Sequence, residues 1–220
     1  MKRLFGIVIL LLAVSACTPY LLVPVGPQTL NDQVKVQVPH EWNQRTESSL
    51  KGTYVSLWTV DGPALETLTF HVGVEDGQTL YSAIDYEDQQ NPLLKLLGIE
   101  KDRVSFRFFK TMSEHDLMDL FAGSAAMISQ QKVLVTPGHL APFSLGGQPG
   151  FRFDYTMETA VDGVKRKGFV VGAIVGGKLT LVDYRGAALH HFELRRPDAE
   201  AIIASLSFTS KSSGALATAR

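Results

Sequence analysis

Alternation of apolar and polar residues predicts β-strands along much of the chain. Val34, Val36 and Val38 occupy one face of a short strand that Pro39 ends. Further strands are predicted at 54–60, 65–74, 104–109, 132–136, 151–157, 166–175 and 178–184. Trp42 falls in the connection after the first strand. Glycine pairs mark the hairpin turns, notably Asp162-Gly163 and Gly176-Gly177.

Two segments have helical periodicity instead. Ser113 is expected to cap a helix through Ile128, with Asp116 at the third helical position as in a capping box. A shorter amphipathic helix is predicted from Pro197 to Leu206. Because strands joined by tight hairpins are antiparallel, and each helix has one apolar face to bury, the predicted class is α+β. We expect one domain over 33–208 and a disordered tail over 209–220.

Two stretches lack a regular pattern. Residues 18–32 contain Pro19, Pro24 and Pro27, which favours an extended tether. The apolar run 21–23 is unusual for a free linker, so part of the tether could lie on the domain or on a membrane. Residues 78–103 are interpreted as a loop with an apolar patch at 93–97.

The N-terminus has the layout of a secretory signal peptide over residues 1–16. Lys2 and Arg3 precede an apolar run from Leu4 to Val14. This run is shorter than the roughly 20 residues that a membrane-spanning helix needs. Cys17 follows the small residues at 15 and 16, and it is the only cysteine in the chain.

The segment Val14–Cys17 resembles the bacterial lipobox. The resemblance implies a diacylglyceryl group on the thiol of Cys17, cleavage before it, and acylation of the new amine, for example with palmitate. The alternative is an ordinary secretory signal with an incidental cysteine. Because Thr18 is not Asp, the resemblance implies an outer-membrane anchor facing the periplasm in a Gram-negative cell. In a Gram-positive cell the same anchor would lie on the outer face of the plasma membrane.

The charge does not indicate a nucleic-acid-binding domain, and the cysteine content excludes a disulfide-stabilised one. The net charge of −1 and the pI near 6.6 do not indicate a nucleic-acid-binding domain. The basic runs 165–167 and 195–196 are interpreted as solvated charges. Without a second cysteine the domain has no internal disulfide, so its stability must come from apolar burial, for which 45% hydrophobic residues suffice.

The motifs of common enzymes and metal sites are not matched. Gly123-Ser124-Ala125 lacks the Gly-x-Ser-x-Gly pattern of a hydrolase elbow and is expected to serve helix packing. His190 and His191 point to opposite faces if extended, so at most one could join Asp183 or Glu193 at a metal or catalytic centre. An acidic stretch is interpreted as a solvated loop rather than a calcium site, and comprises Asp76, Asp85, Glu87 and Asp88. No cofactor is predicted.

Several short sequence segments together resemble those of proteins with the PsbP/Mog fold. PsbP shares this fold with a yeast Ran-binding protein and bacterial envelope proteins of the DcrB type. The segments are Val38-Pro39 followed by Trp42, 108–120, 150–153 and 177–184. The resemblance implies an α-β-α sandwich and relatives that act as docking factors. The patch at 93–97 and the pair His190-His191 depart from it, so no relative's binding surface is transferred to this chain.

These expectations lead to a non-enzymatic, membrane-tethered binding or assembly module that presents its domain to another envelope protein. The alternative is a carrier of a small apolar or lipid ligand, suggested by the patch at 93–97 and by aromatic residues at 106–109 and 151–155. An enzyme is the third possibility, and it requires His190 or His191 to meet Asp183.

Overall fold

The computed structural model describes residues 20–48, 53–81, 106–129, 132–160 and 162–209. These residues form eleven strands and two helices. The strands are β1 (Leu21–Val23), β2 (Gly26–Leu30), β3 (Val34–Val38), β4 (Trp42–Ser48), β5 (Tyr54–Thr59), β6 (Glu66–Val74), β7 (Val133–Leu145), β8 (Gln148–Thr159), β9 (Lys165–Val175), β10 (Lys178–Ala187) and β11 (Ser207–Phe208). The helices are α1 (Glu114–Ile128), between β6 and β7, and α2 (His191–Ala204), between β10 and β11.

An eight-stranded antiparallel sheet dominates the molecule. Its strand order is β1-β4-β5-β6-β10-β9-β8-β7, and a separate three-stranded sheet has the order β11-β3-β2. Strands β7 to β10 follow one another as hairpins, and glycines at 146, 147, 176 and 177 adopt the positive φ angles of their tight turns. The pairing of β6 with β10 joins the two halves of the chain, with Phe70 opposite Val182.

Each face of the large sheet carries its own apolar core. On one face α2 and the three-stranded sheet cover a core that includes Trp42, Trp58 and Tyr184. On the other face α1 covers a core that includes Phe121 and Phe153. The predicted antiparallel α+β class is therefore found. The predicted α-β-α sandwich is found only in part, because strands predominate and one outer layer combines a helix with a small sheet.

Part of the predicted tether of residues 18–32 lies on the domain, the alternative raised by the apolar run 21–23, because residues 21–23 and 26–30 form β1 and β2. Val23 and Leu30 are buried in the core beneath α2, and this apolar burial holds both strands on the domain. Pro27 is accommodated because β2 is an edge strand, where one side of the backbone needs no partner.

Three further predictions are corrected. Trp42 does not lie in a connecting loop but begins β4, which pairs with β1 and β5. The predicted strand 104–109 is described only from residue 106, and there Arg107 forms a single bridge with Thr79. Helix α2 begins at His191 rather than at Pro197, and Pro197 lies inside it.

Several predictions fall on residues outside the described ranges. They are the signal peptide, Cys17, the apolar patch at 93–97 and the tail beyond Thr209. Thr209 itself is bonded to the domain, since its backbone N–H donates to the carbonyl of Gln33 at 2.9 Å.

Candidate binding site

The histidine and aspartate residues that an enzyme site would require lie on different faces of the large sheet. Asp183 faces the core beneath α1, where its Oδ1 accepts a hydrogen bond from Tyr155. His191 begins α2, beyond the other face, and its Nδ1 lies 3.6 Å from Oδ2 of Asp61. The meeting of His190 or His191 with Asp183, which the third possibility of an enzyme requires, is therefore not found.

The other candidate residues have structural roles where they are described. Oδ1 of Asp76 accepts a hydrogen bond from the backbone N–H of Lys110, while its acidic companions at 85, 87 and 88 lie outside the described ranges. Gly123 lies against the Phe106 ring, as expected for close packing. Within the part of the chain that the structure describes, no three His, Cys, Asp or Glu residues converge as a metal site.

Sequence patterns did not indicate a group of polar side chains in the core beneath α1. This buried polar cluster comprises His71, Tyr155, Asp183 and Arg185, from β6, β8 and β10. Oη of Tyr155 donates to Oδ1 of Asp183 at 2.6 Å. Nη1 of Arg185 lies 4.0 Å from Oδ2 of Asp183, which has no hydrogen-bond partner among the described residues. Burial raises the pKa of Asp183 despite the nearby Arg185 and Tyr155.

His71 is held in one tautomer. Its Nδ1 lies 2.9 Å from the carbonyl oxygen of Leu80, and because a carbonyl only accepts, Nδ1 carries the proton. Nε2 is buried and lacks a hydrogen-bond partner in the described structure. Burial lowers the pKa of His71 to about 4, so the ring is neutral at physiological pH.

A pocket of about 400 Å³ opens beside this cluster, between the C-terminal end of α1, the β8–β9 hairpin and β10. We call it the cationic pocket. Its apolar lining comes from Pro63, Ala125, Val133 and Met157, and its polar lining from Ser129, Lys132, Thr159, Asp162, Arg166 and Arg185.

Arg166 is fixed in the wall of the cationic pocket. Its side chain is only 9% exposed, and its Nη2 donates to Oδ2 of Asp162 at 2.7 Å and to the carbonyl of Ala64 at 3.0 Å. Hydrogen bonds from Arg166, from Thr159 and from the backbone of Val164 hold the pKa of Asp162 well below its usual range. Arg166 is thus not the solvated charge that its basic run suggested.

Arg185 connects the cationic pocket to the buried polar cluster. Its side chain is 26% exposed, whereas that of Asp183 behind it is 1% exposed. Burial is the largest influence on Arg185 and opposes its charge, but Asp183, Tyr155 and Tyr81 together outweigh burial and raise the pKa of the guanidinium. With Lys132, the pocket presents three cationic side chains and one carboxylate, which suits an anion carrying an apolar portion.

Comparison with known proteins supports the fold rather than a function. No protein-family model and no curated sequence matches the chain. The solution structure of the cyanobacterial PsbP protein CyanoP from Synechocystis sp. PCC 6803 is similar, with a TM-score of 0.53 and 12% identity over 89% of this chain and 95% of that one. The crystal structure of LpqN, involved in cell envelope biogenesis of Mycobacterium tuberculosis, gives a TM-score of only 0.32 and 10% identity over 87% of this chain and 91% of that one.

The chain therefore has a PsbP-like fold, as the resemblance of its sequence segments indicated. At this level of identity the likeness concerns the fold alone. None of the described helices is long and apolar enough to cross a membrane.

Proposed function

We propose that the chain is a non-enzymatic binding module, anchored to a cell-envelope membrane by a lipid on Cys17, that holds a small anion with an apolar portion in the cationic pocket. The proposal combines the expected anchor with the expected alternative of an apolar or lipid ligand, and adds a negative charge to that ligand. An outer-membrane location facing the periplasm remains part of it. The expected envelope protein partner stays a prediction.

The observation that carries the ligand proposal is the charge of the pocket wall. Lys132, Arg166 and Arg185 face one carboxylate in the pocket lining, Asp162, which is paired with Arg166, while Asp183 lies behind Arg185, so Lys132 is the cation without a carboxylate beside it in the lining. An incoming carboxylate or phosphate would complete this charge balance, and Val133 and Met157 would contact its apolar part. The buried polar cluster supports binding rather than chemistry, because its titratable groups are packed in the core behind Arg185.

The ligand proposal is tested by titrating hexanoate and the neutral analogue hexanol into the mature chain carrying Cys17→Ser, so that neither acyl chains nor detergent compete for the pocket. We expect calorimetry to detect hexanoate and not hexanol. Lys132→Gln should weaken hexanoate binding about fivefold, since an exposed charge contributes up to about 1 kcal/mol. Lys167→Gln, exposed on β9 and not in the pocket lining, is the matched control. Equal affinity of both ligands would contradict the proposal.

The anchor is tested separately by the intact mass of the protein from the membrane fraction. We expect loss of residues 1–16 and the added mass of acyl groups at the new N-terminus. Cys17→Ala should move the chain out of the membrane fraction, because the thioether can no longer form. A mature chain with an unmodified Cys17 would refute the anchor.

A further inference from the structure

Exposed apolar side chains are concentrated at the start of the described chain. Among the described residues nine large hydrophobic side chains are exposed, and four of them fall within positions 20–25. We call these four, Tyr20, Leu21, Leu22 and Val25, the N-terminal apolar patch. The other five lie at positions 65, 109, 134, 189 and 194, and no two of them are closer than five positions along the chain.

The patch is presented by ordered backbone. Strand β1 forms one edge of the eight-stranded sheet and pairs with β4, with Leu22 opposite Asn43. Val23, in the same strand, is buried in the core beneath α2. The burial of Val23 and the pairing with β4 fix the positions of the neighbouring exposed leucines relative to the domain.

The sequence around the patch is free of charge. No Asp, Glu, Lys or Arg occurs between Thr18 and Asn31. Transfer of this segment to a less polar environment would therefore not require desolvation of an ionised side chain, which is the large unfavourable term in such transfers. A tyrosine beside leucines also suits the boundary between lipid headgroups and hydrocarbon.

The short stretch of chain between Cys17 and Tyr20 keeps the patch close to the residue that carries the proposed lipid. Tyr20 is three residues after Cys17. Even a fully extended chain spans at most about 3.6 Å per residue, so Tyr20 lies within about 11 Å of the anchored residue. The headgroup region on one side of a bilayer is about 5–8 Å thick. We propose that the N-terminal apolar patch rests in the headgroup layer of the membrane that holds the lipid on Cys17, docking the β1 edge of the domain on that membrane.

This inference rests on the proposed anchor, and it adds an orientation. The opposite edge of the sheet is β7, seven strand spacings from β1. At about 4.8 Å per spacing, the two edges are separated by about 34 Å. Docking through β1 therefore directs the β7 edge away from the lipid.

The experiment compares two leucines on opposite edge strands, Leu22 at 59% exposure and Leu134 on β7 at 65%. Because Cys17 is the only natural cysteine and is blocked by the lipid, Leu22→Cys and Leu134→Cys each introduce one free thiol. Each is labelled with an environment-sensitive dye in the full mature protein. The protein is reconstituted in phosphatidylethanolamine and phosphatidylglycerol vesicles containing brominated acyl chains.

We expect the dye at position 22 to shift to the blue and to be quenched several times more strongly than the dye at position 134. Val25→Cys should behave like Leu22→Cys, and urea midpoints establish that all three variants are folded. Equal quenching at 22 and 134 with a lipidated Cys17 in the intact mass overturns the docking alone. An unmodified Cys17 overturns the anchor, and the docking with it.

Discussion

Tyr155 and Asp183 form a buried hydrogen bond of 2.6 Å between β8 and β10. The two strands are not neighbours, because β9 lies between them. The bond therefore crosses a strand and ties the tyrosine ring to a carboxylate in the core beneath α1. A buried acceptor that loses its donor is expensive, so this bond predicts a measurable loss of stability.

Tyr155→Phe should lower the free energy of unfolding by about 1–3 kcal/mol, because it leaves a buried carboxyl oxygen without its donor. Burial already raises the pKa of Asp183, and removing Tyr155 Oη raises it further. The loss should therefore shrink as the pH falls and Asp183 is protonated. Urea unfolding at pH 7 and pH 5 measures the difference, with Tyr20→Phe as an exposed control. An equal loss at both pH values would contradict the assignment to Asp183.

His71 predicts a loss of stability in mild acid. Its folded-state pKa of about 4 lies below the usual value of 6.5, so its stabilisation is complete above pH 6.5 and lost as the pH falls towards 4. The difference between these two pKa values corresponds to about 3 kcal/mol of folding free energy. His71→Gln should remove this part of the pH dependence in urea midpoints, whereas the exposed His139→Gln should retain it.

Burial raises the pKa values of Glu66 and Asp183 in the folded state, so these two groups increase the stability as the pH falls, opposite to His71. Both groups are present in the natural chain and in the His71 variant, so the difference between the two chains isolates the histidine. A slope that is unchanged in His71→Gln would refute the assignment.

Gly168→Ala should destabilise the domain through Tyr155. Gly168 is the cross-strand partner of Tyr155, and a Cβ there would lie 2.3 Å from Cζ and 2.5 Å from Oη of its ring. Overpacking of this kind costs about 1–3 kcal/mol. Alanine also lowers the conformational entropy of the unfolded chain, which offsets at most about 1 kcal/mol of this cost. The exposed neighbour Lys167→Ala is the control, and a higher urea midpoint for Gly168→Ala would refute the contact.

Ser113→Ala should cost about 1 kcal/mol by removing the N-cap of α1. Oγ of Ser113 accepts from the backbone N–H of Asp116 at 3.3 Å, and Oδ2 of Asp116 accepts from the backbone N–H of Ser113 at 2.8 Å. Chemical unfolding measures the change, and Ser144→Ala, exposed on β7, should be nearly neutral. Identical stability of the two variants would count against the capping box.

The elements that the sequence predicted well have local causes. Strand β3 follows from three alternating valines, and α1 begins at its predicted cap, Ser113. The hairpins at 162–163 and 176–177 follow from glycines that adopt positive φ angles in tight turns. Each signal lies within a few residues of the structure that it specifies.

The elements and contacts that were missed depend on distant partners. Strand β4 reads WNQRTES and has little apolar alternation, so its place is set by pairing with β1 and β5. The cationic pocket brings Arg166 and Arg185 together from two strands and Lys132 from the connection before β7. A basic residue in a short run is usually solvated, and only the packing of the hairpin shows that Arg166 is not.

The pairing of β3 with β11 joins the two ends of the domain, so the fold is completed only after the last strand has been made. Strand β3 is made early, yet one of its partners is β11, with Phe208 opposite Val34. The three-stranded layer therefore cannot close while residues near 208 are still being synthesised or threaded through a pore. Such a long-range contact forms slowly, and a chain interrupted shortly before Ser207 would leave one side of β3 open to another chain.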